Sequence, residues 1–539
     1  MNSPISTPVL RTEVPNVTRR RSLRDLLNKK TTEPSTALPW PDPASQRHEP
    51  VRADVQQNYR IAAHLWKDCE DVQFRWIKAG TKDILVVWID TLVGKELTQN
   101  GIFKELSQQE HTPTSMAEIE LVLTVQSMRV TSFYEVNLSM GDGFAVLFAE
   151  GFDTALCIDV SQFQGRPVEK PDLEPGVVGP QESFTELLEK NLGMLRRKIK
   201  SPQFKIEMQH FGNLSQTKVA VIYAAEVAKP ELVEELRQRL GKINIDGVVD
   251  INYIRELTAD APRSPFPRNQ ISERPDRIAA ALLQGRVGVI VDGSPYAMLV
   301  PATFIHLLSS SEDYYSAYIM SLPVRLLRHL TYWASMLLPA LYIALMSYHQ
   351  EMLPTALLVT LAATHEGVPF PAVVEAFIMV ITFEALREAG IRLPKAVGQS
   401  VSIVGALVIG DAAVNAGIVS PGMVIVVALT GVASFSIPSY DLAMTNRLLQ
   451  VPFMLLAGFF GLYGITVGLF ILLAHLVSLR SFGVPYMSPL APLDSRALRE
   501  DSFFRSPWWS LQTRPAMLEP VNSIENASPK PQPEGGGKS

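Results

Sequence analysis

Cysteine is almost missing: Cys69 and Cys157 are the only two in 539 residues. That excludes a disulfide framework and a thiolate metal site, and leaves two reduced thiols as the expectation. Motifs that carry chemistry are missing as well. The chain has no G-x-S-x-G, no phosphate-binding glycine loop, no dinucleotide fingerprint and no metal-type histidine spacing, so no catalytic, cofactor or metal residue is assigned and an enzyme is not expected. Excess positive charge is lacking too. With 49 Lys and Arg against 54 Asp and Glu the net charge is -5, which gives no case for nucleic-acid binding. The first 30 residues hold no apolar core with a small-residue cleavage site, so nothing marks a signal peptide.

The most informative scarcity is local. Between positions 326 and 480 only 13 of 155 residues are charged, and charge-free runs cover 329–350, 412–440 and 448–479. Runs of that length match or exceed the roughly 20 residues that cross a bilayer, so this region is read as a helical membrane domain. The fold class expected is an α+β soluble N-terminal region of two subdomains, followed by an all-α polytopic membrane domain. The boundaries read from composition are a disordered tail (1–50), subdomain 1 (51–164), a Pro-rich linker (165–181), subdomain 2 with an interfacial helix (182–325), the membrane domain (326–480) and a mostly disordered cytoplasmic tail (481–539).

Within subdomain 1, residues 54–68 read as helix, Ile84–Ile89 as a strand, and 144–148 with 155–160 as hairpin strands; Gly141-Asp142-Gly143 reads as a turn. Subdomain 2 opens with an amphipathic helix over 182–200 and a strand at 218–223. A helix over 231–240 has Pro230 at its start and Gly241 as its stop. The apolar runs GRVGVIV and YAMLVP flank Asp292-Gly293, a strong hairpin signal. At 309–330 an interfacial helix is expected, with Tyr314, Tyr315 and Tyr318 at headgroup level and Arg325 and Arg328 facing lipid phosphate.

In the membrane domain the segment 352–365 is too short to span upright, and 448–479 is too long for one crossing yet too short for two with a turn. The Lys and Arg distribution places both soluble ends in the cytoplasm, requiring an even number of crossings, with four preferred. Val397, Val401, Val404, Val408, Asp411 and Asn415 follow a 4-3-4-3-4 spacing and share one helix face. Gly398, Ser402, Gly405 and Ala412 lie on the opposite flank as close-packing residues, as do Gly458, Gly461, Gly464 and Gly468 on a later helix. Valines with a polar collar suit a pore that gates by dewetting. The alternative puts the valines against lipid and Asp411 at a helix end. Glu375, in a helix's first turn, reads as a dipole cap; Glu384 with Arg387 and Glu388 with Arg392 read as ion pairs.

The segments ERPDRIAAALLQGRVGVIVDGSPYAMLVPATF (273–304), SSEDYYSAY (310–318), EGVPFPAVVEAF (366–377), LREAGIRLPKAVGQS (386–400) and GIVSPGMVIVVALTGVASFSIP (417–438) together resemble the A subunit of the GerA-type spore germination receptors, over about residues 55–490. The resemblance implies a subunit in the spore inner membrane with its soluble domains on the cytoplasmic, core side. It also implies two partners, a transporter-like germinant-binding B subunit and a lipoprotein C subunit, and a homo-oligomer forming a ligand-gated cation channel. A non-conducting scaffold and a late-sporulation paralogue of the stage V AF type are the alternatives. The family often has a neutral residue at position 411, where this chain has Asp411.

Overall fold

The computed structural model describes residues 49–109, 111–162, 170–171, 173–393 and 409–531. Subdomain 1 begins with α1 (Val55–Leu65), whose start is fixed by the Asp54 carboxylate accepting from the Gln56 and Gln57 amides. Strands β1 (Val72–Ala79) and β2 (Lys82–Ile89) form a hairpin. After α2 (Met116–Val122), β3 (Ser127–Val130), α3 (Phe133–Gly141), β4 (Phe144–Ala149) and β5 (Ala155–Asp159) complete an antiparallel sheet of order β1-β2-β4-β5-β3. Leu85, Val87 and Phe148 pack on one face; Ile84, Val86 and Leu147 pack on the other. Burial of both faces explains why β2 and β4 read as unbroken apolar runs rather than alternating ones.

Subdomain 2 repeats this topology. It runs α4 (Leu188–Lys198), β6 (Phe204–Phe211), β7 (Thr217–Ala224), α5 (Pro230–Leu240), α6 (Ile251–Leu257), β8 (Gln270–Ser272), α7 (Pro275–Leu283), β9 (Val287–Val291) and β10 (Ala297–Val300). The sheet order β6-β7-β9-β10-β8 matches that of subdomain 1 strand for strand. The helix expected over 182–200 begins only at Leu188, because the Asp292 carboxylate of the β9–β10 turn accepts from the Leu188 amide (3.1 Å) and caps it there. Residues 173 and 174 of the Pro-rich segment are held by Glu273, and Glu174 pairs with Arg277 (2.6 Å).

The subdomains are joined by backbone as well as side chains. Ile206 exchanges hydrogen bonds with Asp68 and Glu70. Arg196 and Asp71, both fully buried, form a bidentate pair at 2.8 and 2.9 Å.

The chain then becomes helical: α8 (Tyr318–Ser347), α9 (Thr355–His365), α10 (Ala372–Arg392), α11 (Pro421–Phe435) and α12 (Tyr440–Ser478). The fold is therefore the α+β region and helical region expected. Among the described residues, α8 and α12 are long and apolar enough to cross a membrane. The interfacial helix expected over 309–330 is divided between a single turn, Glu312–Tyr315, and the first half of α8. No residue of α9 is buried, and its 11 residues are too few to cross a bilayer.

The reading of 448–479 as too short for two passages is corrected by Gly461. Its φ of 57° and ψ of -141° interrupt α12, a conformation open essentially to glycine alone. The chain reverses there. A Cβ on Gly464 would collide with the Leu456 carbonyl, and one on Gly468 would stand 2.9 Å from both Leu456 and Phe453. These contacts join residues whose numbers converge on 461, as in two antiparallel limbs. Both open ends return to the soluble region: Thr445 Oγ1 donates to the Pro265 carbonyl (2.6 Å), and His475 Nε2 lies 2.9 Å from Ser264 Oγ. A one-residue reversal needs none of the loop that the sequence estimate allowed for.

The limbs align the other helices. Gly458 faces Val373 and Gly431 faces Phe383, while Thr331 meets Ser436 and Tyr342 meets Ser420. Helices α10 and α11 thus both run toward the soluble region, so residues 393 and 420 lie at opposite ends of the bundle.

The 481–531 stretch, read from sequence as mostly disordered, is folded onto subdomain 2 and the start of α8. It contains a small hairpin (Arg480–Ser481 with Val484–Pro485) and a helix (Ser495–Asp501). Tyr486, Leu511 and Leu518 are buried. These anchors are isolated in sequence and leave no period to read.

Candidate functional site

Charged and polar groups inside an apolar bundle are costly, so their placement is the guide to function. The four valines of the sequence-derived face (Val397, Val401, Val404 and Val408) and three of its packing residues (Gly398, Ser402 and Gly405) lie outside the described residues. Asp411 and Asn415 lie inside them, on a helical stretch over 409–415. Asn415 Nδ2 donates to Asp411 Oδ2 at 3.1 Å, and both side chains are exposed on the single chain. Ala412 is exposed beside them, so it does not pack within the chain. The opposite side, Ala413 and Val414, packs on the bundle core. A carboxylate and an amide thus project from the surface of a bundle whose other exposed residues include Ile425, Leu429, Val432 and Phe435.

A second polar site is buried. Glu375 has no exposed surface; its Oε2 accepts from both the amide and the hydroxyl of Ser420 at 2.9 Å. Ser420 is the N-cap of α11, so Glu375, in the first turn of α10, closes the start of a different helix as well. His365, the last residue of α9, has Nδ1 2.9 Å from Glu375 Oε1, and Tyr342 of α8 lies 3.4 Å from the Ser420 hydroxyl. One carboxylate therefore meets residues of α9 and at the start of α11, and Tyr342 of α8 joins the group through Ser420. Sequence reasoning assigned Glu375 to its own helix dipole and did not join it to His365. The ten-residue spacing across the turn VPFP was the only signal available.

The third site joins the soluble region to the bundle. Asp313 receives a bidentate bond from Arg328 (2.9 and 3.0 Å) and one from Arg325 Nε (3.0 Å). Arg325 reaches Asp501 of the C-terminal segment at 3.0 Å, and the Tyr314 hydroxyl donates to the same carboxylate (2.6 Å). Arg505 donates to the carbonyls of Asp313 and Ser316. Arg325 and Asp313 are 2% and 3% exposed, so the arginines expected to face lipid phosphate are turned inward. The physical reason is pairing: a buried guanidinium is tolerated when a hydrogen-bonded carboxylate accompanies it, and Asp313 and Asp501 supply two. Of the tyrosines expected at headgroup level, Tyr314 is held by Asp501, whereas Tyr315 and Tyr318 stay 39% and 36% exposed, the first donating to Asp276 (2.5 Å) and the second lying beside Trp509. Burial raises the Asp313 pKa, but the Arg328 bond and the charges of Arg328 and Arg325 outweigh it and hold the carboxyl below its ordinary value.

The remaining sequence-selected groups are easily placed. Gly458, Gly464 and Gly468 sit at close contacts, whereas Gly461 is the reversal rather than one more packing residue on a continuous face. Glu384 pairs with Arg387, and Glu388 with Arg392 at 2.7 Å. Cys69 and Cys157 are buried and free.

Comparison with known proteins gives consistent results. The model of the Bacillus/Clostridium GerA spore germination protein family matches residues 60–517. The chain is 41% identical over 471 residues to spore germination protein KA of Bacillus subtilis (strain 168), covering 86% of each chain. It is 40% identical over 486 residues to the uncharacterized membrane protein YfkQ of the same organism, covering 89% of this chain and 94% of that one. Among solved structures, the N-terminal domain of the A subunit of the Bacillus megaterium spore germinant receptor GerK3 aligns with 48% of this chain and 98% of its own. That alignment has a TM-score of 0.38 and 24% identity.

Proposed function

The chain belongs to the GerA spore germination protein family, and from that premise we propose that it acts as the A subunit of a nutrient germinant receptor in the spore inner membrane. In this reading its helical part oligomerises into a ligand-gated cation channel, with a transporter-like B subunit binding the germinant and a lipoprotein C subunit completing the complex. The soluble subdomains face the spore core. The observation that carries the channel reading is the exposed Asp411–Asn415 pair. Left against lipid it is costly; around the axis of a ring it forms a hydrated collar that attracts cations. Germinant binding on the partner tilts the 396–415 segment and hydrates the constriction of Val401, Val404 and Val408.

The test is ion flux from vesicles containing the assembled receptor, paired with the ion content of intact spores. Asp411→Asn is expected to lower cation conductance, and Val404→Ala to cause leakage before germinant is added. Intact partner assembly with no flux in the unaltered receptor overturns the channel and favours the scaffold reading.

A further inference from the structure

A cavity of about 650 Å³ lies between subdomain 2 and the C-terminal segment. Its floor includes Ala280 on α7 and Arg286, one wall includes Thr303 and His306, and Trp508 and Leu511 form part of its cover. The size falls in the range of small-molecule sites, roughly 300–1,000 Å³.

Arg286 is the group in this cavity that the protein leaves unbalanced. It is 1% exposed, its Nη1 donates to the Pro301 carbonyl, and its Nε has no partner among the described residues. The other lining cations are better matched. Arg277 pairs with Glu174 (2.6 Å), Arg496 with Glu500 (2.8 Å), and Arg514 donates to the Leu283 carbonyl (2.7 Å). Burial, helped by the Arg277 charge, pushes the Arg286 pKa down to about 10 against the opposing pull of Tyr314 and Asp501. It nevertheless remains a cation at neutral pH. Two residues beyond Pro301, Thr303 is fully buried and its hydroxyl has no partner among the described residues. A buried cation and a buried hydroxyl, each with unmet hydrogen bonding, are unfavourable unless something occupies the space beside them.

We propose that this cavity binds a small monocarboxylate with an apolar body, its carboxylate on Arg286 and Thr303 and its body along Ala280, Leu283, Ile305, Trp508 and Leu511. The single charge follows from the lining. One unbalanced guanidinium matches one negative charge, while Glu500, Asp501 and Glu525 border the same space and oppose a dianion. The covering segment carries Asp501, which binds Arg325 and Tyr314, so the occupant touches the chain that holds the start of α8. The inference does not depend on whether the bundle conducts ions.

The test uses the purified full chain in detergent, titrated by calorimetry and thermal melting with hexanoate and phenylacetate, and with 1-hexanol and inorganic phosphate for comparison. Saturable binding of at least one carboxylate is expected, without saturable binding of the alcohol or phosphate. Arg286→Gln should weaken it by at least roughly tenfold, the loss of a charge-assisted hydrogen bond. Should that variant fail to fold, Ala280→Trp, at an exposed position of α7, places an indole in part of the cavity and is expected to weaken binding while leaving the unliganded melting point in place. Failure of both carboxylates to bind, equal binding of hexanol, preference for phosphate, or undiminished binding to Ala280→Trp overturns the proposal.

Discussion

Asp313 neutralises two buried arginines at once, and that makes it the most exposed point in the protein's charge balance. Asp313→Asn leaves Arg325 with the Asp501 carboxylate and the Phe504 carbonyl, and Arg328 with the Leu308 carbonyl. The expected cost is about 3–5 kcal/mol, because breaking a buried pair strands the partner charge; denaturant unfolding of the full chain in detergent measures it. The pH dependence has a definite sign. The folded-state pKa of Asp313 lies below its ordinary value of 3.8, so its stabilisation is present above that value and is lost as pH falls through the lower folded pKa. The Asn variant should lack this acid-side loss. The sequence placed these residues correctly at the end of the soluble region but aimed the arginines outward. Nothing local distinguishes an arginine that meets lipid from one that meets Asp501, 176 positions away.

At the scale of elements, the legible parts were those whose signals are local. The β9–β10 hairpin follows from Asp292-Gly293, and α5 runs from Pro230 to Leu240 with Gly241 as its cap. Strand β1 was missed because it lies at a sheet edge with Gln73, Arg75 and Trp76 exposed, so its composition does not separate it from a loop. The reversal within α12 was missed for the opposite reason: an unbroken apolar run gives no punctuation, and Gly461 is one of four similarly spaced glycines. The hairpin makes a direct prediction. Tyr440→Cys and Ser478→Cys, both at exposed positions, should react from the same side of a sealed vesicle with a membrane-impermeant maleimide. Labelling from opposite sides would mean that α12 is a single crossing. The native cysteines are buried and give little background.

For the whole molecule, the sequence showed the division into a charge-rich region and an apolar one but not the duplication within the first. Two five-stranded sheets with one strand order are built from residues with no visible repeat, because the topology needs only apolar faces and turns, which many sequences supply. Nor did it show that the 481–531 segment closes over subdomain 2, where Lys229 pairs with Glu519 (2.6 Å) and Val521 donates to Val227. This docking should depend on pH. Burial pushes the Glu525 pKa from its ordinary value of 4.5 up to about 7, Asp501 adding to the shift and Arg514 opposing it. A raised carboxyl pKa means stabilisation that is complete below the ordinary value and is lost as pH rises through about 7. Amide hydrogen-exchange protection over 511–526, taken relative to the intrinsic base-catalysed rate at each pH, should therefore fall between about pH 5 and pH 8, and Glu525→Gln should flatten that fall. Asp501, from the same segment, bonds to Arg325 of α8, so loosening the cover also releases one end of the junction.

The attachment of α12 has a mechanical corollary. Its two limbs are fastened to adjacent residues, Ser264 and Pro265, so a displacement of that short loop pulls both limbs in the same direction. They behave as the loom of an oar rather than the blades of scissors. The stroke is delivered at the far tip, where Gly461 lies against His349 and Tyr348.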